Sequence, residues 1–360
     1  MPDLKKPRLC LMYTGGTIGM HRDKNGVLSP PTDPQSFLSI APQLNDVADF
    51  DFVPLMNKDS TNMHPCDWVI IAQAVYNRRN EGYNGIVIAH GTDTMHFSAS
   101  AVALALGKNL NFPVVFTGAQ TAPDIQHGDA RVNLYRAFKV AVENIAEVVI
   151  CFGDYVFRGC RAQKKDERRF DAFESPAFFP LANITEEILI NDSIAFSREQ
   201  KSKEIELKNE FCSHIFQVSL IPGLEPELLD GLLTKDICNG IVLQSFGAGN
   251  VPHKEKYENY SPYSWLSFIE KASKDGMPVL ITSQFPANAT LHTAYAPGVA
   301  SIEAGAIPTG NMTSACATAK FRWVLAHDEI KGLSGKEKLG KIREMMNIPY
   351  IGELDLKQRK

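Results

Sequence analysis

The sequence lacks the features that mark membrane and secreted proteins. Its 360 residues contain no run of about 18 apolar residues, so no transmembrane helix is predicted. The N-terminus also lacks the apolar segment and the small-residue cleavage site of a secretory signal. From these absences we expect a soluble protein of the cytoplasm that has no membrane partner.

The sequence also lacks an excess of charge and any grouping of cysteines. Its formal net charge is -4 and its pI is about 6.2, which argues against nucleic acid as a partner because polyanions bind to basic surfaces. The seven cysteines are scattered, without the Cys-x-x-Cys or Cys/His clusters that hold zinc. We therefore expect a reducing compartment, a small-molecule ligand, no metal and no cofactor.

What the sequence does contain is a regular alternation of strands and helices. Short runs such as 9–13 and 85–90 are apolar on both faces, which is typical of parallel strands covered by helices. The segments between them have helical periodicity. The pattern predicts an α/β fold in three parts: a larger N-terminal domain with a doubly wound parallel sheet (1–196), a charged linker (197–212) and a smaller C-terminal α/β domain (213–360).

A glycine-containing segment, TGGTIG (14–19), follows the first predicted strand. Such a segment either cradles a phosphate with its backbone or presents a threonine hydroxyl as a nucleophile. Its glycine spacing fits neither the dinucleotide-binding fingerprint nor the P-loop. The next residues, 20–31, are polar and end in two prolines, so they predict an exposed flap instead of a helix. A turn in which Thr17 bonds only to the main chain remains an alternative at this point.

Two further segments carry polar side chains that fit a threonine nucleophile. The predicted strand 85–90 leads into Thr92 and Asp93, and carboxyl ends of parallel strands share one edge of a sheet. These side chains are therefore expected near Thr17. Lys164 lies in a charged run that, taken alone, predicts a solvated turn. A lysine desolvated beside an aspartate and a hydroxyl can, however, serve in a proton relay.

Several motifs together resemble one known family. They are YTGGTIGM (13–20), DSTNM (59–63), HGTDTM (90–95), FDAFESP (170–176), GAGNVP (247–252) and GNMTSACATAKFRWVL (310–325). They look like the bacterial-type L-asparaginases, most closely the cytoplasmic type I branch. The resemblance implies hydrolysis of L-asparagine to L-aspartate and ammonia, a possible glutaminase side activity, and a homodimer or homotetramer.

The resemblance also implies individual residue roles. Thr17 would attack the side-chain amide carbon and form an acyl-enzyme, and a relay would move the protons. Backbone groups of the glycine turn would stabilise the oxyanion, and the Ala119 carbonyl would face the leaving amide. The implied catalytic residues are Thr17, Thr92, Asp93, Lys164 and Tyr295, and the implied substrate-binding residues are Gly16, Asp59, Ser60, Thr61, Asp93 and Ala119.

The sequence departs from the family at two positions. Val27 stands at a flap position where many members carry a tyrosine that helps to deprotonate the nucleophile, and Tyr295 is the candidate replacement. Gln244 stands where some type I members use an arginine to bind asparagine at an allosteric site. Because a neutral amide cannot make the charged bidentate contact of arginine, we expect weak or absent activation by asparagine.

Two alternative functions remain open. The first is the ammonia-supplying subunit of a tRNA-dependent amidotransferase, a form that carries an additional N-terminal domain, whereas the first predicted strand here begins near Lys6. The second is a non-catalytic sensor that binds asparagine, an alternative motivated by Val27 and Gln244. An ammonia assay distinguishes the sensor from both enzymes.

Overall fold

The structure is a computed structural model that describes residues 6–22, 28–30, 33–201, 203–233, 237–252, 264–285 and 296–355. The chain divides into two compact units, Met1–Asn209 and Glu210–Lys360. The division falls within 197–212, which we propose as the connection between the two domains. Within the described ranges, every helix is too short or too polar to cross a membrane.

The N-terminal unit is built around an eight-stranded sheet. The described strands of this unit, which include two separate pairs, β2 with β3 and β9 with β10, are β1 (Arg8–Tyr13), β2 (His21–Arg22), β3 (Leu28–Ser29), β4 (Asp49–Pro54), β5 (Gly85–Ala89), β6 (Val114–Thr117), β7 (Val148–Phe152), β8 (Tyr155–Arg158), β9 (Gln163–Lys164), β10 (Phe173–Glu174), β11 (Ala182–Ile184) and β12 (Ile188–Ile190). Its described helices are α1 (Pro34–Ile40), α2 (Leu44–Val47), α3 (Pro65–Arg78), α4 (Met95–Leu106) and α5 (Ala130–Ala141).

The sheet has the order β12-β11-β8-β7-β6-β5-β1-β4. Strands β7, β6, β5, β1 and β4 are parallel, whereas β8, β11 and β12 extend the sheet with antiparallel pairs. All five residues of β5 are buried, as its unbroken apolar run predicted. The predicted fold class is therefore confirmed, with an antiparallel extension that the sequence analysis did not anticipate.

Helices cover both faces of this sheet. Leu9 and Leu11 of β1 belong to a core cluster with α5, and successive residues of a strand face opposite sides, so Cys10 and Met12 face the other layer. Helix α3 begins with a capping box in which the side chain of Asp67 accepts from the His64 backbone N–H at 2.8 Å. Helix α4 ends at Gly107, whose φ of 68° suits glycine.

The C-terminal unit has a smaller parallel sheet with the order β13-β14-β15-β16. Its described elements are β13 (Phe216–Ser219), β14 (Ile241–Ser245), β15 (Val279–Ser283), β16 (Ile307–Pro308), α6 (Trp265–Lys274), α7 (Ala296–Glu303), α8 (Ser314–Ala326) and α9 (Gly335–Asn347). Lys320 of α8 and Glu353 form a fully buried ion pair with an N–O distance of 2.6 Å. Since Glu353 also accepts from the backbone N–H groups of Tyr350 and Ile351, the segment after α9 is fixed against α8.

Candidate active site

The turn after β1 brings three segments of main chain into contact. Gly15 and Gly16 have φ values of 127° and 84°, which favour glycine. A Cβ atom on Gly15 would lie 1.9 Å from the carbonyl oxygen of Lys58, and one on Gly16 would lie 2.7 Å from the Cα of Gly91. Residues 14–17, which we call the nucleophile turn, are therefore positioned by backbone packing that leaves no space for a side chain at either glycine.

Thr17 lies at the carboxyl edge of the sheet, as predicted. It is half-buried, and its hydroxyl donates to the carbonyl oxygen of Ala119 at 3.0 Å. The phenol of Tyr13 donates to the carbonyl oxygen of Gly16 at 3.0 Å. Burial raises the pKa of Tyr13, so this side chain keeps its proton near neutral pH and supports the turn as a donor.

The structure brings together Thr92, Asp93 and Lys164, the three residues that we call the relay. Thr92 and Asp93 follow β5, and Lys164 lies on β9. The ammonium of Lys164 donates to Thr92 Oγ1 at 2.8 Å and to Asp93 Oδ1 at 2.6 Å. The side chain of Lys164 is only 12% exposed, whereas that of Asp93 is 52% exposed. The carboxylate thus neutralises a nearly buried cation while one part of it still faces solvent.

The segment 59–61 lies against the relay. The carboxylate of Asp59 accepts from the backbone N–H and the hydroxyl of Thr61, both at 2.9 Å, and these bonds lower the pKa of Asp59. Ser60 is buried, and its hydroxyl oxygen accepts from the backbone N–H of Asp93 at 3.2 Å. Its carbonyl oxygen accepts from the hydroxyl of Thr94 at 2.7 Å. Of the residues implied for substrate binding, Ser60 is therefore hydrogen-bonded directly to the relay residue Asp93.

Sequence analysis missed two residues on the connection 118–129 after β6. The half-buried Gln120 accepts from the Thr92 hydroxyl through Oε1 at 3.2 Å. The buried Asp129 accepts from the backbone N–H groups of Gln120 and Thr121 and from the side chain of Asn133. The only signal in the sequence was that Gln120 adjoins Ala119, because loop contacts leave no periodic pattern.

Two buried histidines lie close to the relay. Burial lowers the pKa of His90 and that of His96 to about 4, and the nearby Lys164 ammonium acts in the same direction on His96. His96 packs against the rings of Phe97 and Phe173. Neither Nε2 of His90 nor Nδ1 of His96 has a hydrogen-bond partner among the described residues. Both side chains are therefore expected to be neutral at physiological pH.

Of three other predicted positions, the structure describes Gln244. Val27 and Tyr295 lie outside the described residues. Gln244, at the carboxyl end of β14, donates to Ser314 Oγ at 2.6 Å and accepts from Ser219 Oγ at 2.5 Å. Its amide is thus engaged within the C-terminal unit. In the part of the chain that the structure describes, no three acidic, cysteine or histidine side chains gather to hold a metal ion.

Comparisons with known proteins identify the family of each domain. The chain matches the asparaginase N-terminal domain family over residues 8–196 and the glutaminase/asparaginase C-terminal domain family over residues 214–332. The D subunit of glutamyl-tRNA(Gln) amidotransferase from Methanosphaera stadtmanae is 31% identical over 98% of this chain and 77% of that protein.

Solved structures give a second comparison. The thermostable L-asparaginase from Thermococcus kodakarensis is 29% identical with a TM-score of 0.84, over 97% of this chain and 100% of that chain. L-asparaginase I from Vibrio cholerae is 29% identical with a TM-score of 0.82, over 98% and 100% of the respective chains. With both domain families matched in order along the sequence, this chain belongs to the asparaginase family.

Proposed function

We propose that this chain hydrolyses the side-chain amide of L-asparagine and releases L-aspartate and ammonia, with Thr17 as the nucleophile. The observation that carries this proposal is the bonding of the Lys164 ammonium to both Thr92 and Asp93 at the sheet edge where Thr17 also lies. A nucleophilic hydroxyl needs a nearby group that takes its proton, and a relay of this composition supplies one.

The proposed reaction has two stages. Thr17 Oγ attacks the amide carbon, its proton passes into the relay, where the neutral amine form of Lys164 takes it up, and ammonia leaves with that proton returned to its nitrogen. Water then cleaves the β-aspartyl ester and restores Thr17. The backbone N–H groups of Gly16 and Thr92 are our candidates for the oxyanion site. Asp93, Ser60 and Thr61 would hold the α-ammonium and α-carboxylate groups, with Asp59 fixing Thr61.

A second candidate function concerns the fate of the ammonia. Curated relatives, including those from Methanosphaera stadtmanae and Pyrococcus abyssi, are named as D subunits of glutamyl-tRNA(Gln) amidotransferase. These names favour the alternative in which the ammonia passes to a partner subunit that acts on tRNA, and they favour it more strongly than they favour a free asparaginase. The solved structures named L-asparaginase support the free enzyme. Both functions use the same amide hydrolysis at Thr17.

Assembly and location are part of the proposal. For a free asparaginase we propose a homodimer or homotetramer in the cytoplasm, with Tyr295 completing the site. For the amidotransferase function the minimal active unit would instead include a different partner chain. Mass measurement of the purified protein alongside its activity distinguishes a self-sufficient assembly from one that requires a partner.

An ammonia assay on the purified full chain tests the proposal. A free asparaginase is expected to release ammonia and aspartate from L-asparagine in equal amounts without any other protein. The glutamine rate is expected to be lower, because one methylene changes transition-state binding by about 1–3 kcal/mol. Ammonia that appears only after a partner subunit and glutamyl-tRNA are added would establish the amidotransferase function. Asparagine binding in calorimetry with no ammonia under either condition would contradict both enzymes and favour the sensor.

A further inference from the structure

The dipeptide Ala119–Gln120 touches both halves of the candidate active site. The carbonyl oxygen of Ala119 accepts from the hydroxyl of Thr17 at 3.0 Å, and the side chain of Gln120 accepts from the hydroxyl of Thr92 at 3.2 Å. Among the described residues, no hydrogen bond joins Thr17 directly to the relay. Among the described residues, this dipeptide therefore links the proposed nucleophile to the relay by hydrogen bonds.

The neighbours of Gln120 fix the orientation of its amide. Its Nε2 atom donates to the carbonyl oxygens of Asp166 and Arg169 at 3.2 and 3.3 Å. A carbonyl oxygen only accepts, so the NH₂ group must face these two atoms and the oxygen Oε1 must face Thr92. The carboxylate of Asp166 in turn accepts from the backbone N–H groups of Arg168 and Arg169, which keeps this turn closed.

The orientation of the amide determines the direction of the hydrogen bonds in the relay. Gln120 Oε1 has no hydrogen, so the single hydroxyl hydrogen of Thr92 must lie between the two oxygens. The Thr92 oxygen then presents a lone pair to Lys164, whose ammonium donates at 2.8 Å. The chain of donors therefore runs from Lys164 to Thr92 and from Thr92 to Gln120.

We propose that Gln120 is a positioning residue that sets the direction of the hydrogen bonds from Lys164 to Thr92. Its effect on catalysis rests on the amide hydrolysis proposed above. By accepting from Thr92 it keeps the Thr92 lone pair directed at Lys164. By donating to the turn 166–169 it holds the segment that follows Lys164. Its own position is fixed because the buried carboxylate of Asp129 accepts from the Gln120 backbone N–H at 2.9 Å.

Two substitutions separate this function from simple anchoring of the turn. Gln120→Met keeps the length of the side chain but removes the acceptor and the donors. Gln120→Glu keeps an acceptor for Thr92, loses the donors and adds a negative charge near Lys164. The matched control is Gln126→Met, because Gln126 is an exposed glutamine on the same connection.

We expect Gln120→Met to lower kcat about 10- to 100-fold with KM changed less than about threefold, as for loss of a group that orients a proton-transfer residue. Gln120→Glu should move the acid limb of the kcat pH profile upward by about 0.5–1 unit, because a nearby carboxylate favours the charged form of an amine. Gln126→Met should match the native protein. If Gln120 only anchors the turn 166–169, the midpoints of the pH profile should stay unchanged. In that case kcat should decrease only in variants whose melting temperature also decreases.

A measurement independent of activity completes the test. In the full chain with ¹³C-methylated lysines, the Lys164 resonance, assigned with Lys164→Arg, should titrate at higher pH in Gln120→Glu than in the native protein. Lack of amide hydrolysis by the native protein would refute the proposed function alone, and the titration would still decide whether Gln120 acts on Lys164. Equal Lys164 titration in the native protein and both Gln120 variants would overturn the proposal.

Discussion

The two halves of the candidate active site are held in different ways. In the relay, the ammonium of Lys164 bonds directly to the side chains of Thr92 and Asp93. In the nucleophile turn, Gly15 and Gly16 pack backbone against backbone, and the Thr17 hydroxyl meets a main-chain carbonyl. The relay is thus held by bonds between side-chain atoms, whereas Thr17, the proposed nucleophile, is held by the packing of the backbone that carries it.

This difference separates groups that must stay fixed from the group that must move. Charged and proton-carrying groups accelerate a reaction most when they are already oriented, because no reorganisation is then needed during the reaction. An attacking hydroxyl instead has to leave its resting partner and turn towards the substrate carbon. In the proposed mechanism, rotation about the Cα–Cβ bond of Thr17 would achieve this while the backbone of residues 14–17 stays in place.

The largest effect is expected from removing the attacking hydroxyl. Thr17→Val keeps the β-branched shape, so we expect kcat to fall at least about 10³-fold while asparagine binding and the melting temperature change little. Steady-state ammonia release and calorimetry measure these quantities. Thr17→Ser is the matched control and should keep part of the activity. If the valine variant retained more than about a tenth of native turnover, Thr17 would not be the nucleophile.

The next effect in size concerns the relay. Lys164→Met removes the donor to both Thr92 and Asp93, and we expect kcat to fall about 10²- to 10⁴-fold, the usual range for loss of a proton-transfer group. Lys164→Arg should not rescue turnover, since a guanidinium stays protonated in proteins. A rescued arginine variant would show that the charge of Lys164 matters and that its proton transfer does not. Stopped ammonia assays on the three proteins decide this point.

The smallest effect concerns the pH dependence of folding stability beside the relay. The pKa of His96 is about 6.5 in the unfolded chain, and burial lowers it to about 4 in the folded chain. Because the unfolded chain binds this proton more readily, the free energy of unfolding decreases as the pH falls from 6.5 to 4. Between pH 7.5 and 5, the free energy of unfolding of His96→Leu should decrease by on the order of 1–2 kcal/mol less than that of the native protein. Chemical denaturation at both pH values measures it, with the exposed His127→Gln as control. If the free energy of unfolding of the native protein and of His96→Leu decreased equally with pH, His96 would not be a cause of the acid sensitivity.

Most of the fold was predictable because its signals are local. The apolar runs of β1 and β5 and the glycine that ends α4 follow directly from burial and backbone conformation. The antiparallel strands β8, β11 and β12 were missed, since strands of three or four residues show too little alternation to predict pairing. Their pairing depends on contacts that the finished sheet provides.

The site was predictable only in part for a related reason. Thr17, Thr92 and Asp93 follow parallel strands, so the rule that carboxyl ends share one edge places them together. Lys164 lies in a charged run that by itself predicts solvent exposure, and its position at the site came from family resemblance. Gln120 was not predictable, because its contacts with Thr92 and the turn 166–169 arise from the path of a loop. Val27 and Tyr295 lie outside the described residues, so their predicted functions stay predictions.

The close contact of the nucleophile turn with its neighbours limits how this enzyme scaffold can be re-engineered. A methyl group on Gly15 or Gly16 would overlap main-chain atoms of Lys58 or Gly91, so side-chain changes at these two positions are not tolerated beside Thr17, the proposed nucleophile. Directed evolution towards longer amides should instead vary the exposed Thr61 and keep the two glycines. The backbone therefore fixes the position of the proposed nucleophile, whereas the side chains implied for substrate binding remain open to variation.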